Sequence, residues 1–329
     1  MNKIAEQTLI TLIDQLRDTH LLSKEEWMFL IENRTRDVNE YLFSQAREVR
    51  HQHYGHDVYI RGLIEFTNYC KNDCIYCGIR KSNLNACRYR LSETDIQNCC
   101  RTGYELGFRT FVLQGGEDGW FTDQKIISLI EKIKTDFPDC AITLSIGEKE
   151  RESYQAFFDA GADRYLLRHE TYNSTHYGKL HPPALTAAHR QRCLYDLKEI
   201  GYQTGTGFMV GSPYQTAEHL AEDMLFIQQL NPHMVGIGPF IPHHDTPFAA
   251  QPAGTLELTL AGTDLIYART SATDDSKASA TFDNCAWNDR SKRKRAWYSC
   301  RSKCRYAKPF SNRCAKRLCA LRQQNLYGR

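Results

Sequence analysis

Three closely spaced cysteines are the part of this sequence best suited to chemistry. Cys70, Cys74 and Cys77 are separated by three residues and then by two. Thiolates this close in sequence can converge on one metal centre, and a 4Fe-4S cube takes four ligands. Three cysteines would leave one iron open to bind another molecule. We interpret the stretch as a cluster-binding loop. We expect the function of the protein to depend on the iron that the three cysteines leave open.

Two plainer interpretations of the same cysteines stay open at this point. Similar spacings hold zinc, although zinc takes a fourth ligand and no further Cys or His follows closely until Cys87. The thiols could also be inert. The length of the chain, and an N-terminal stretch without the apolar core of a signal peptide, argue against a disulfide framework.

The cysteines follow a strand-like run, after which apolar strand, polar loop, amphipathic helix and glycine repeat along the chain. Strands are predicted at 57–66, 109–113, 141–146, 163–167, 203–209 and 233–238, and helices at 93–106, 123–135, 150–160, 185–200 and 216–230. Strands that alternate with helices form a parallel sheet with right-handed crossovers. Six strands without a Rossmann glycine fingerprint favour an α/β fold of the TIM-barrel type, complete or partial.

The chain divides into three predicted segments. Residues 1–53 carry apolar residues at helical spacing and form a helical segment that we expect to pack on the main domain. Residues 54–260 form the barrel, and 261–329 form an aberrant tail. Side chains that suit helix N-caps mark several helix starts: Ser23, Ser92 with Asp95, and Thr216. Glycines that suit a left-handed turn before a strand are Gly107, Gly161 and Gly201.

Polar and glycine-rich loops follow the predicted strands, where a barrel of this type carries its chemistry. They span 114–118, 145–148, 168–171, 209–213 and 236–247. Arg168, Glu170 and Arg190 suit a zwitterion, because arginine binds carboxylates and an acid binds amines or hydroxyls. His243 and His244 have the chemistry of metal ligands, although loop histidines more often bind none.

Composition narrows the class of protein further. The net charge of the 329-residue chain is only +3, which does not by itself argue for a nucleic-acid partner. No stretch approaches the length of a membrane span. Thirteen cysteines without an export signal indicate a reducing compartment, so we expect a cytoplasmic protein.

The pattern Cys-x3-Cys-x2-Cys, with the aromatic Tyr76 before its last cysteine, resembles the signature of the radical S-adenosylmethionine (SAM) family. The stretches 64–70, 162–171 and 234–243 resemble the HydE family of iron–iron hydrogenase maturases in particular. Biotin synthase and methylornithine synthase are related families. The resemblance covers about residues 1–260 and is most specific between 57 and 248.

The resemblance implies a radical SAM barrel in which Cys70, Cys74 and Cys77 hold a 4Fe-4S cluster. It implies that SAM binds the open iron through its amine and carboxylate, and that an electron from the cluster breaks a carbon–sulfur bond to give a 5′-deoxyadenosyl radical. The implied SAM-binding residues are Tyr76, Gly115, Gly116, Glu117, Glu170, Arg190, Ile237 and Gly238. Those implied to face the substrate cavity are Ser145 and Arg168.

Within that set the resemblance also implies individual roles. The loop 115–117 holds the SAM amine, Glu170 and Arg190 meet the ribose and the carboxylate, and Ile237 and Gly238 lie along the adenine. Free cysteine is commonly a small buried hydrophobe, which is the interpretation of four remaining cysteines of the barrel region: Cys99, Cys100, Cys140 and Cys193. Cys87 is the exception to this interpretation. The sequence offers no convincing set of ligands around it for a second cluster.

The resemblance also implies a substrate and partners. A HydE-like enzyme would act on a small cysteine-bound iron carbonyl cyanide complex, with an external electron donor such as ferredoxin or flavodoxin and with other hydrogenase maturases. Two alternatives remain: an enzyme like biotin synthase or methylornithine synthase, and a non-catalytic metal-binding or nucleic-acid-binding protein. We expect no membrane and no nucleic-acid partner.

The tail departs from the family pattern. Residues 290–329 contain no Asp or Glu, although they include the basic run 292–295 and scattered cysteines. A nucleic-acid-binding arm or a zinc knuckle would explain this composition. We prefer a reading-frame error, because shifting the back-translated codons of 282–290 and 300–311 permits A-L-G-T and A-N-V-V-M-P-N, which resemble the missing seventh and eighth strands. Such a chain would expose its first and sixth strands as open edges and would be inactive.

Overall fold

Six parallel strands form the central sheet of the computed structural model, which describes residues 3–55 and 59–254. In chain order the strands are β1 (Gly62–Thr67), β2 (Thr110–Gly115), β3 (Ala141–Ser145), β4 (Arg164–Leu166), β5 (Gln203–Thr206), β6 (Met209–Val210), β7 (Met234–Val235) and β8 (Gly238–Pro239). The central sheet has the order β1-β2-β3-β4-β5-β7, and β6 pairs in parallel with β8. This is the predicted α/β architecture.

Nine helices accompany these strands within the described residues. Three precede the sheet: α1 (Lys3–Thr19), α2 (Lys24–Asn33) and α3 (Arg36–Tyr54). Six alternate with the strands: α4 (Glu93–Glu105), α5 (Asp123–Asp136), α6 (Arg151–Asp159), α7 (Ser174–Leu180), α8 (Ala187–Ile200) and α9 (Ala217–Leu230). The predicted N-caps at Ser23, Ser92 and Thr216 are confirmed, each as part of a capping box.

Two strands were predicted as continuous, and this was wrong, because each is divided into two in the structure. The stretch 203–209 divides into β5 and β6, and 233–238 divides into β7 and β8. The physical reason is a close backbone contact at the break: a Cβ built on Gly207 would lie 1.8 Å from the carbonyl oxygen of Gly236. Side chains cannot occupy that contact, so both ladders are interrupted there.

Smaller differences concern the ends of elements. The first strand begins at Gly62, later than predicted, because Tyr59 and Ile60 are exposed and make no ladder. The helix predicted from residue 185 begins at Ala187, and a short helix capped by Asn173 precedes it. That seven-residue helix is too short to show a helical period in the sequence.

The core lies in two main clusters. The larger one fills the space between the central sheet and α4, α5, α6 and α8, around buried side chains such as Leu113, Leu144 and Tyr165. In the second cluster, the N-terminal helices pack against α9 and β7. There the Trp27 indole donates to Gln228 Oε1 at 2.6 Å, and Lys24 makes ion pairs with Glu218 and Glu222. The N-terminal helices therefore buttress one side of the sheet.

The described part of the sheet is open. Within residues 59–254, β1 and β7 each pair with a strand on one side only. The predicted tail 261–329 and its reading-frame interpretation lie outside the described residues, as does the division of the chain at 260. In the described chain, none of the helices has the length and apolar character needed to cross a membrane.

Candidate functional site

The loop that carries Cys70, Cys74 and Cys77 begins where β1 ends, and it is held by its own charged residues. The Arg88 guanidinium donates to the carbonyl oxygens of Asn68 at 2.6 Å, Ile79 at 2.9 Å and Arg80 at 2.6 Å. Arg80 Nε in turn donates to Asp73 Oδ1 at 2.7 Å, and this bond holds the pKa of the Asp73 carboxyl well below its usual range. These contacts fix the loop without help from the thiols.

The three thiols are partly buried and act on one another. Burial raises the pKa of Cys77 to about 11. Burial also raises the pKa of Cys74, the neighbouring thiols of Cys77 and Cys70 raise it further, and Arg190 opposes them. Three thiolates would therefore repel one another here, and a cationic metal centre would offset that repulsion.

The spacing of the sulfurs bears on whether the three cysteines would bind a cluster or a single zinc ion. Among the described residues, the groups of three or more ligand atoms that lie within 4.8 Å of one another do not include the three cysteines. Sulfurs around one tetrahedral zinc ion would be about 3.8 Å apart, given a Zn–S distance near 2.3 Å. In the described residues, the three sulfurs are therefore not already gathered as the ligands of a single zinc ion would be.

The loop after β2 touches the cysteine loop through its backbone. A Cβ at Gly116 would lie 2.2 Å from the Tyr69 carbonyl oxygen and 2.8 Å from Cys70 Cβ. The Lys71 N–H donates to the Glu117 carbonyl oxygen at 2.9 Å. Glycine is therefore required at position 116 for the two loops to meet, and this contact places Glu117 beside the cysteines.

Glu117 belongs to a network of alternating charges. Its Oε2 lies 3.2 Å from Lys71 Nζ, and its Oε1 accepts the Glu148 N–H at 3.1 Å. Glu148 lies 2.8 Å from Arg190 Nε and 3.4 Å from His189 Nε2. Burial raises the pKa of Glu148, and Arg190 opposes that rise. The β2 and β3 loops and α8 thus supply both signs of charge at one place.

The sequence had not singled out Glu148 or Lys71 as site residues. Glu148 is only 8% exposed and lies in the loop after β3, a position that the barrel prediction marks as functional. Its presence in that loop was the available signal. Its pairing with Arg190 depends on packing of α8 against the sheet and has no signature in sequence.

A second ion pair lies at the end of β4. Arg168 Nη2 is 3.2 Å from Glu170 Oε2. Glu170 has a left-handed backbone, with φ of 63°, and its N–H donates to the Gly207 carbonyl oxygen at 3.0 Å. Left-handed conformations cost free energy in residues other than glycine and concentrate at functional sites.

Several charged atoms of the site lack a hydrogen-bond partner. In the described chain, Glu117 Oε2, Glu170 Oε2 and Arg190 Nε are buried without one, although each belongs to an ion pair. These atoms are close to opposite charge yet outside hydrogen-bond geometry. They leave acceptors and a donor for a ligand that carries an amine, a carboxylate or hydroxyl groups, and SAM carries all three. The residues therefore fit the cofactor that the cysteine pattern implies.

Tyr76 lies in the cysteine loop, between Cys74 and Cys77. It packs against a small apolar cluster of Leu180, Met209, Phe240 and Phe248. Its hydroxyl lies 3.3 Å from His181 Nε2, and the two rings meet edge to face at 5.5 Å. Burial lowers the pKa of His181 to about 3, so the imidazole is neutral beside the cysteines.

The other predicted site residues lie at the end of β3, in β8 and between β7 and β8. Ser145 ends β3 in register with Gln114 of β2. Gly238 begins β8 opposite Met209. The Ile237 side chain is buried in the cluster shared with the N-terminal helices. Their predicted contacts with adenine and substrate stay predictions.

Three of the five cysteines outside the loop are buried as expected, and Cys99 is only partly buried. Cys100, Cys140 and Cys193 are buried, whereas Cys87 is exposed. Among the described residues, Cys87 shares no group of three or more ligand atoms that lie within 4.8 Å of one another.

The chain belongs to the Radical SAM superfamily. Residues 64–227 match that family, and the match includes the cysteine loop and four of the loops that follow strands. Together with the parallel sheet and the cysteine triad at its carboxyl edge, this defines a radical SAM enzyme as the class of protein, as the sequence had predicted.

The chain is also similar to individual proteins. The FeFe hydrogenase maturase subunit HydE of Thermotoga maritima is 46% identical over 225 residues, which are 68% of this chain and 64% of that protein. The match thus spans just under two thirds of the length of that relative. The 3-methylornithine synthase of Methanosarcina acetivorans is 26% identical over 75% of this chain and 70% of its own.

Solved structures show the same fold. Methylornithine synthase PylB superposes with a TM-score of 0.70 at 23% identity, covering 85% of this chain and 90% of that chain. HydG, described as a maturase of the FeFe hydrogenase, superposes with a TM-score of 0.70 at 20% identity, covering 82% and 63%.

Proposed function

We propose that this protein binds a 4Fe-4S cluster through Cys70, Cys74 and Cys77 and cleaves SAM reductively. The observation that carries the proposal is the contact between the cysteine loop and the Gly116–Glu117 loop. It sets the three cysteines beside the Glu117 carboxylate, whose buried Oε2 has no hydrogen-bond partner in the described chain. A metal-storage protein would have no need of such a zwitterion site.

Different residues of the site would bind different groups of SAM. When bound, the reduced cluster supplies the electron that breaks a carbon–sulfur bond of SAM. Glu117 offers Oε2 to the amine, while Arg190 donates to the carboxylate and Glu170 accepts from ribose hydroxyls. Tyr76 and the apolar cluster beneath it exclude water from the cysteine loop.

The finer part of the proposal is a role in assembling the di-iron centre of FeFe hydrogenase. It is supported by 46% identity to a protein described as a maturase of that enzyme. The substrate would be a small iron complex held near Ser145 and Arg168. The partners would be other hydrogenase maturases and a low-potential electron donor such as ferredoxin or flavodoxin.

Anaerobic reconstitution tests the cluster and the chemistry in one preparation. We expect the full chain to bind one 4Fe-4S cluster, SAM to change the electron paramagnetic resonance spectrum of the reduced cluster, and dithionite with SAM to yield 5′-deoxyadenosine. Cys74→Ala should abolish all three, while Cys87→Ala, which changes an exposed cysteine outside the loop, should abolish none. Zinc without charge-transfer absorbance would refute the proposal.

The substrate needs a separate assay. Lysates that contain the other maturases but lack the HydE subunit should produce active FeFe hydrogenase when this protein is added. Formation of 3-methylornithine or biotin by the reconstituted protein, with no hydrogenase activation, would instead favour the alternative enzymes.

A further inference from the structure

The loop after β8 carries a group of metal-ligand side chains that the proposed reaction does not use. Nitrogens of His243 and His244 and a carboxylate oxygen of Asp245 all lie within 4.8 Å of one another. His244 Nε2 is 3.2 Å from Asp245 Oδ2, and the two imidazole rings stack at 4.5 Å. These atoms are close enough to share one ion.

We propose that His243, His244 and Asp245 bind one divalent transition-metal ion of the zinc class. Two imidazoles and a carboxylate form a donor set typical of zinc sites, with a water completing four-coordination. Hard ions such as magnesium and calcium prefer oxygen ligands and are a poorer match.

Two of the three ligands are already held in place. The His243 ring packs against Gly78, where a Cβ would lie 2.6 Å from its Cδ2. Asp245 is oriented by Asn85, whose amide donates to Oδ1 at 2.8 Å, and its side chain is only 17% exposed. Outer-shell partners of this kind orient metal-binding carboxylates. His244, 67% exposed, is the ligand with freedom to complete the site.

The position of the site gives the ion a structural role. Gly78 directly follows Cys77, and Asn85 lies in the segment that leads from the cysteine loop to α4. An ion here would stiffen the loop after β8 where its ligands contact Gly78 and Asn85, on the C-terminal side of the cysteine loop. The inference is independent of SAM chemistry, because none of its ligands belongs to the proposed SAM-binding set.

Zinc binding to the cluster-loaded full chain tests the proposal. The cluster occupies the three loop cysteines, so calorimetric titration with zinc reports other sites, and zinc-edge X-ray absorption identifies the ligands. We expect one equivalent bound through nitrogen and oxygen only, at about 2.0–2.2 Å. His244→Ala and Asp245→Ala should each weaken that equivalent at least about tenfold, and Asn85→Ala about tenfold, as expected for an outer-shell partner.

His53→Ala is the matched control, because His53 is an exposed histidine at the end of α3, outside the group. It should bind zinc like the parent. The proposal is overturned if His244→Ala retains parental zinc affinity and stoichiometry, or if the zinc bound by the parent shows sulfur ligands near 2.3 Å, which would place it on cysteines elsewhere.

Discussion

His169 Nε2 lies 3.3 Å from Asp223 Oδ1, and both side chains are completely buried. Burial lowers the pKa of His169 to about 3 and raises the pKa of Asp223 well above its usual range. Both shifts favour the uncharged form of each group. The pair therefore joins the loop after β4 to α9 without burying a net charge.

This pair fixes the backbone on both sides of Glu170. His169 Nδ1 lies 2.8 Å from Thr206 Oγ1 of β5, and Asp223 Oδ1 accepts the Tyr172 N–H at 2.6 Å. Glu170 lies between these anchors with a left-handed backbone. The packing of α9 thus maintains a conformation that the loop would not adopt by itself.

Replacing Asp223 should destabilise the fold more than the size of the side chain suggests. Asp223→Ala leaves the Tyr172 N–H and the His169 imidazole without their buried partner. We expect the free energy of unfolding to fall by at least about 1–3 kcal/mol, measured by urea denaturation. Asp159→Ala is the control, because Asp159 is exposed and bonds only Gln155 one turn earlier. Equal urea midpoints for the two variants would contradict this account.

Local sequence signals predicted most of the fold. Cys70, Cys74 and Cys77 follow the first strand, and Ser92 with Asp95 caps the helix after them, because each signal involves residues a few positions apart. The six parallel strands follow from alternating periods in the sequence. These features need no knowledge of distant contacts.

Features that depend on contacts between residues distant in the chain could not be predicted from the sequence. The break at Gly207 arises from contact with Gly236, and the pairing of Glu148 with Arg190 requires α8 to be packed on the sheet. An acid in a loop is ordinary, so Glu148 could not be distinguished before its partner was placed. Asp223 likewise looks like any polar residue of an amphipathic helix.

Removing either charged residue proposed to hold SAM should weaken SAM binding and leave the cluster intact. Losing one buried charged partner costs about 2–5 kcal/mol, so Glu170→Ala and Arg190→Ala should raise the Kd for SAM at least about thirtyfold. Calorimetry on cluster-loaded protein measures the affinity, and iron analysis verifies loading.

Arg192→Ala provides the control for that experiment, because Arg192 is exposed on the same helix as Arg190. Arg190→Lys should restore part of the affinity, since it keeps the charge and loses the planar fork. If both alanine variants bind SAM as tightly as the parent, the SAM site lies elsewhere.

Acid should destabilise the protein through its buried histidines. Burial lowers the pKa of His176 to about 4, whereas an unfolded histidine has a pKa of about 6.5. The unfolded chain therefore binds more protons below pH 6.5, and the free energy of unfolding should be full above that pH and fall toward pH 4. His176→Gln removes this group, so its unfolding free energy should decline less steeply, by up to about 1.4 kcal/mol per pH unit. Parallel slopes for parent and variant in urea titrations would refute the assignment.

The tail gives a prediction at the level of the gene. If residues from about 261 onward come from a shifted frame, resequencing should find an extra or missing base near that codon. The corrected chain should then encode two further strands. In the described sheet, β1 and β7 are the edge strands beside which these two would lie. A confirmed frame, together with a tail that is ordered and functional, would overturn the interpretation.

The contact between Gly116 and the cysteine loop should decide whether the cluster assembles. In Gly116→Ala the new methyl group would lie 2.2 Å from the Tyr69 carbonyl oxygen, closer than real contacts allow, so the backbone beside Cys70 must move. We expect iron and sulfide per chain after anaerobic reconstitution to fall severalfold, with an unfolding cost of about 1–3 kcal/mol. Gly119→Ala, in the same loop with no atom within 4 Å of its Cβ, should load like the parent. Full loading of Gly116→Ala would show that the approach of these loops is not needed for the cluster.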